Sequence, residues 1–369
     1  MSNNNSKYHH LIPKVSMKKW VYEGNSVWGI NYITGFGEPR NRDNFGGIHH
    51  YHTIRPGSYF VSDEQAKTFF SSLEGYTVFF TDEDERQGNS VSDPRELNSA
   101  YPTFDEWIIK HASGKEVGKK AKNRLKNEID SHKDLSIETG WDYQYEDKWN
   151  RVLDNIANDL EKASSSDMPF HIVQFSDLGQ LIMFMVSLKW RTLPFPEELQ
   201  EIMDDRWSKN PEDGIDKKMV TIPKEERTFP YLKTVYDERA HNTILWLFKS
   251  FLNNQGPIYN EAQDVLESFS AILYQAPEDK EFLTSDNPVC HYQDDNGKMN
   301  YYFPITPKLA FKFGEKPKDG SIAQSYVVSQ ASEEELFSFN KRMKENCHEV
   351  YIMKGDHPSR YFGDNGAKE

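Results

Sequence analysis

The pentad TSDNP (284–288) sets three hydrogen-bonding side chains in a row, Ser285, Asp286 and Asn287, between an apolar run and a proline. Asp and Asn bond nearby backbone amides in tight turns and proline fixes the exit, so a structural corner accounts for the stretch. At the mouth of a sheet the same groups would form a polar cluster, with Asp286 as base, orienting partner or metal ligand. The second candidate is His10, in HHLIP (9–13), held by the proline-stiffened segment that follows. Imidazole ionises nearest neutral pH, which suits it to acid/base work or to holding phosphate. If His10 meets Asp286, the pair is either a histidine oriented for proton transfer or a buried structural bond. Arg191, in KWRTLPF (189–195), leaves the most apolar segment of the chain. It needs an anion there, and a phosphate or carboxylate ligand, Asp286 or an internal Glu would each serve.

A histidine, a carboxylate and an arginine suit phosphodiester hydrolysis, which needs proton transfer and charge stabilisation. One expectation is therefore a hydrolase, and specifically a nuclease. His10 would be its general acid/base, Asp286 would orient His10 or bind a metal, and Arg191 would hold phosphate. Ser285 and Asn287 would be polar donors. A divalent metal is compatible with this set and not required by it. The basic candidates for contacting RNA or DNA are Lys14 and the stripe Lys115, Lys119, Lys122 and Lys126 in KEVGKKAKNRLKNEI (115–129). A solvated helix face balanced by acidic neighbours explains that stripe as well. The other expectation is a non-catalytic binding or sensing module, in which His10, Arg191 and Asp286 hold the terminal segments together and mid-chain helices meet a protein partner. Geometry separates the two. The enzyme needs those three side chains on an open cleft, and the module needs them buried and mutually satisfied.

Two further motifs carry less. HHYH (49–52) would put His50 and His52 on one strand face at a spacing metals accept, but no third ligand accompanies them, so solvated edge-strand histidines are expected. GFGEP (35–39) lacks the following residues of a phosphate-binding loop.

The elements that must position these groups change character along the chain. After a polar lead (1–7), strands are expected at 26–33, 48–54, 57–62 and 76–80, with 35–47 a loop and 64–73 a helix. A charged loop (81–97) precedes helices at 101–114, 115–129, 144–163 and 176–190. A polar insertion or lid (204–229) separates these from helices at 231–253 and 259–270. Aromatic-rich strands then return, with DDNGK (294–298) a hairpin turn, before a final helix and strand. This is an α+β order, with a mixed or antiparallel sheet built from N- and C-terminal strands around a helical middle. It reads as a strand-rich part (1–100), a helical part (101–270) and a part completing the sheet (271–369) of one compact unit.

Composition bounds the partners. Only 37% of the 369 residues are hydrophobic, but 14% are aromatic, enough for a core despite a mean hydropathy of -0.80. A net charge of -14 argues against a nucleic-acid-coating surface and leaves room for a local basic patch. Two cysteines, an N-terminus without an apolar signal segment, and a greasiest run (178–190) too short to span a bilayer predict a cytoplasmic protein with no membrane.

HHLIPK (9–14), FMVSLKWRTLPF (184–195), ILYQAPEDKEFLTSDNPV (272–289), YFPITPKLAFKF (302–313) and FNKRMKENCHEVYIM (339–353) together resemble one family, the bacterial and phage-borne proteins grouped as DUF4238. The resemblance implies an α+β fold whose terminal strands join one sheet, and a setting near mobile elements and phage-defence genes. It carries over His10, Arg191, Ser285, Asp286, Asn287, Asn340 and Asn346 as recurrent polar positions. Trp190 stands where a tyrosine or aliphatic residue is expected, and the 204–229 insertion is long for the family.

Overall fold

The structure is a computed structural model describing residues 8–58, 61–81, 87–164, 171–174, 177–193, 195–207, 217–224, 227, 229–230, 232–315 and 325–363. The polar lead 1–7, residues 59–60 of one expected strand, residues 82–86 of the charged loop and much of the 204–229 insertion lie outside these residues. The chain divides into two compact units, each assembled from separated stretches: 1–51, 140–199 and 250–369 form the first, 52–139 and 200–249 the second.

The first unit is built on two larger sheets. In the four-stranded one, Val350–Met353 lies between Thr284–Ser285 and Ser26–Asn31, and Gly37–Asn41 pairs outside the latter, all antiparallel. A C-terminal strand thus joins N-terminal ones in a single sheet, within an α+β fold. Side chains alternate across a strand, so each face buries its own cluster. Val27, Val350 and Ile352 pack against Ile12, Met17, Trp20 and Phe45 on one face. On the other, Ile30, Tyr351 and Met353 pack with Leu336, Phe339 and Met343 of the helix Glu333–Asn346. That helix starts at a capping box, with the Ser332 and Glu335 side chains each bonding the other's backbone amide.

The second sheet orders Cys290–Gln293, Met299–Thr306, Leu309–Glu315, Phe269–Gln275, Ser325–Gln330 and His171–Gln174, with one parallel pair between Phe269–Gln275 and Ser325–Gln330. The DDNGK turn closes its first hairpin as expected, the Asp294 amide donating to Lys298 O at 2.9 Å. A short pair, Tyr8–His10 with Gly47–His49, completes this unit's strands among the described residues. The apolar helix Leu178–Arg191 is buried along most of its length. No described helix is long and apolar enough to cross a membrane.

The second unit holds a three-stranded sheet, Gln87–Val91, Tyr76–Thr81 and Ile108–His111, with helices Asp63–Phe69, Pro94–Ala100 and Lys119–Ser131. It corrects the helix expected over 101–114. Tyr101–Glu106 is a 3-10 turn, and Ile108–His111 is a strand paired with Tyr76–Thr81. The cap-like Thr103 and Asp105 opened a turn, and the apolar Ile108-Ile109 pair then took the extended form its β-branched residues favour. In the first unit, residues 37–41 of the expected loop form an edge strand. The expected strand over 48–54 ends at His49, because His50 turns with φ 60°.

Candidate functional site

TSDNP is bent because it is fastened to the connection between the helix Glu333–Asn346 and the strand Val350–Met353. The Asp286 carboxylate accepts three backbone amides, from His348 at 2.8 Å, Glu349 at 2.7 Å and Val350 at 2.9 Å. Its own amide donates to Val350 O at 2.9 Å. Burial raises its pKa, and the three amides oppose that by favouring the charged form. The Ser285 hydroxyl, fully buried, donates to Asn287 O at 2.7 Å and accepts the Asn287 amide at 3.1 Å, closing the turn on itself. Asn287 and Asn346 exchange amide-to-carbonyl bonds of 3.1 and 2.8 Å. Asn340 is likewise a buried fastener, its amide group bonding Glu281 O, Tyr361 O and the Leu283 amide at 2.8 to 3.0 Å.

His10 and Arg191 do meet, but through the histidine backbone. Arg191 is 0% exposed, lies with its guanidinium 4.9 Å above the Trp141 ring, pairs with Glu146 at 3.1 Å and donates to the His10 carbonyl. Its anion is therefore an internal glutamate. The buried His10 ring sets Nδ1 3.3 Å from Phe45 O, where it stands as donor. Asp286 instead spends its carboxylate on the amides of residues 348–350.

What opens beside this latch is a cavity of about 300 Å³. Asp286 borders it, with Leu11 and Ile12 of the N-terminal segment, Phe45, Arg40 and His348. Leu11 and Ile12 thus come back to the bend, but His10, Arg191, Ser285 and Asn287 are not among the walls. Arg40 reaches the cavity by lying across Gly29, where a Cβ would stand 2.9 Å from Arg40 Cδ and 3.1 Å from Val350 Cγ1. Its Nη2 is 3.1 Å from Glu38, while Nε is buried without an acceptor among the described residues.

The lysine stripe belongs to the second unit. Lys122 donates to Asp105 O at 2.7 Å and to Trp107 O, and Lys126 pairs with the Asp105 carboxylate at 2.7 Å, so both are drawn back onto the 3-10 turn. Lys115 precedes the helix Lys119–Ser131, and both Lys115 and Lys119 are exposed. Lys14 lies 3.7 Å from Asp43. His52 is not the solvated edge residue expected: it is fully buried, with Nδ1 2.6 Å from Glu138, because the turn at His50 directs the chain inward to a carboxylate.

One polar cluster escaped sequence reasoning. Lys189, buried, pairs with Glu261 at 2.9 Å and Glu198 at 3.1 Å, and Glu261 also accepts Trp190 Nε1 at 2.5 Å and the Tyr301 hydroxyl at 2.7 Å. His291 stacks on Tyr301 and is held below its ordinary pKa, by burial first and then by Lys189. The signal was a lysine inside the most apolar helix, which must find carboxylates to stay charged.

No curated protein and no solved structure matches the chain. A family model nonetheless spans residues 8–357: the chain belongs to the family described as protein of unknown function, DUF4238.

Proposed function

We propose that this protein is a non-catalytic binding or sensing module whose ligand enters the cavity beside Asp286. The observation that carries the reading is where the polar atoms of the expected catalytic set are spent. Arg191 is committed to Glu146 and the His10 carbonyl, Asp286 to three amides, and Ser285 and Asn287 to each other and to Asn346. Of these groups only Asp286 borders the cavity, and its carboxylate is already shared among three amides that hold it in place, whereas a general base must reach its substrate proton. The cavity offers Leu11, Ile12 and Phe45 for an apolar body and Arg40 for an anionic or accepting end.

The test is incubation of the purified protein with RNA and DNA, with and without magnesium or manganese, alongside His10→Ala and Asp286→Ala. The module reading expects no turnover and a lowered melting temperature in both variants. Cleavage by the wild type that is lost in both variants while they stay folded would overturn it and return the nuclease reading.

A further inference from the structure

The face of the four-stranded sheet opposite Arg40 carries a second and larger cavity, of about 500 Å³. Trp28, Tyr32, Tyr351 and Phe362 give it aromatic walls, and Lys344 and Asp356 are its charged members. We propose that this cavity binds a small molecule with a planar aromatic ring carrying an anionic group.

The anion is asked for by Lys344. This half-buried ammonium projects from the helix Glu333–Asn346 and lies 5.9 Å from the Tyr351 ring centre and 5.6 Å from that of Phe362. Among the described residues it has no carboxylate within 4.0 Å, in a chain where Lys126, Lys189 and Lys249 each have one. Ring faces hold a cation in place but neutralise none of its charge, so the site keeps its attraction for an anion. Asp356 stands exposed at the same cavity, and its repulsion favours a ligand with one anionic end over one charged throughout.

The ring is asked for by Trp28, the independent observation. Its indole lies across Gly37 so closely that a Cβ there would stand 2.9 Å from Nε1. That Nε1 is buried and has no acceptor among the described residues. Buried indole donors ordinarily find an acceptor, and a turn of this cavity-lining ring off Gly37 would present the orphaned N–H to a ligand heteroatom. Tyr351 and Phe362 already meet edge to face at 6.2 Å, an arrangement that extends readily to a third ring. The cavity volume lies within the range of small-molecule sites. At its mouth the hairpin tip exposes Ile33 and Tyr32, 84% and 42% accessible, so an entering ring meets apolar surface first.

Nucleoside 5′-monophosphates and simple aromatic carboxylates share this chemistry, and titration calorimetry with each class separates them. The inference expects one class to bind with a dissociation constant of about 1 mM or tighter. Adenosine and inorganic phosphate, each offering half of the recognition, should bind more weakly than the compound that joins them. Lys344→Met should weaken binding by about tenfold and Trp28→Phe by severalfold, with melting temperatures held near wild type as the check on folding. No binding by either class, or binding that Lys344→Met leaves unchanged, overturns the proposal. Arg40→Ala distinguishes the two cavities: affinity lost there and kept in Lys344→Met would place the ligand beside Asp286, sinking this inference while favouring the proposed function.

Discussion

Arg191→Ala tests whether the fastening of the N-terminus is as dry as its geometry implies. The guanidinium is wholly buried, and its removal takes away the cation that Glu146, whose side chain is 18% exposed, pairs with and a donor to the His10 carbonyl. Breaking one partner of a buried pair costs about 3–5 kcal/mol, against about 1 kcal/mol or less for a surface pair. Residual access of water to Glu146 puts the expectation at the lower end, about 3 kcal/mol. Glu146→Ala should cost a similar amount. The double replacement Arg191→Met with Glu146→Leu removes both charges and keeps volume, so the stranded-charge penalty vanishes. About 1–3 kcal/mol should persist for the donor lost from the His10 carbonyl. Arg191→Lys should rescue only in part, since an ammonium can still donate to two acceptors but lacks the planar fork that lies over Trp141 and sets the guanidinium between Glu146 and the His10 carbonyl. Urea denaturation of the four variants, followed by fluorescence and far-ultraviolet circular dichroism, reads these differences from the midpoints. A loss below about 1 kcal/mol for Arg191→Ala, or single and double variants that simply add, would refute the reasoning, because either result means that the two charges are solvated and uncoupled.

Asn340→Ala should cost about 3 kcal/mol or more by urea denaturation, since it orphans the Leu283 amide and two carbonyls at once; Asn340→Asp should not rescue it, because a carboxylate faces those carbonyls with lone pairs. Gly29→Ala should cost about 1–3 kcal/mol and push Arg40 off the sheet, weakening any ligand of the adjacent cavity, while a wild-type midpoint would mean that Arg40 does not lie there. Acid unfolding of the second unit should respond to Asp134. Burial raises its pKa, but bonds from Ser136 and Lys249 outweigh that and bring it below the ordinary 3.8. A depressed folded value means the stabilisation is complete above that ordinary pKa and is lost as pH falls through the lower folded one. Asp134→Asn should therefore flatten the stability profile below about pH 4, and an unaltered acid limb would contradict the assignment.

The legible parts of the chain were those with local causes. The aromatic strands around DDNGK and the apolar helix Leu178–Arg191 declare themselves by alternation and by continuous hydrophobicity. Gly37–Asn41 did not, because an edge strand of Gly, Glu, Pro, Arg and Asn has no apolar side to alternate. TSDNP was legible as a turn, and Asn340 as a hydrogen-bonding residue. Their partners were not, since Asp286 bonds amides more than sixty positions away and sequence order carries no sign of that pairing. The strand at His50 failed for a similar reason: IHHYHTI has the right composition, but the chain turns at His50 and carries His52 inward to a hydrogen bond with Glu138, eighty-six positions away.

The position of the Asp286 latch explains why so much polar chemistry is spent on one bend. Val350, whose amide and carbonyl both bond Asp286, is the first residue of the strand that separates the two cavities. Val350 borders the cavity of Arg40, while Tyr351 and Met353 border that of Lys344. In a strand of four residues, a slip of one position would exchange those faces completely. Hydrophobicity cannot prevent the slip, because all four residues, Val-Tyr-Ile-Met, are buried and apolar, and either register would bury them. Directional bonds can. A carboxylate that reads three successive amides accepts one register only, and a molecule gripping either face then acts on a strand whose position Asp286 has already chosen.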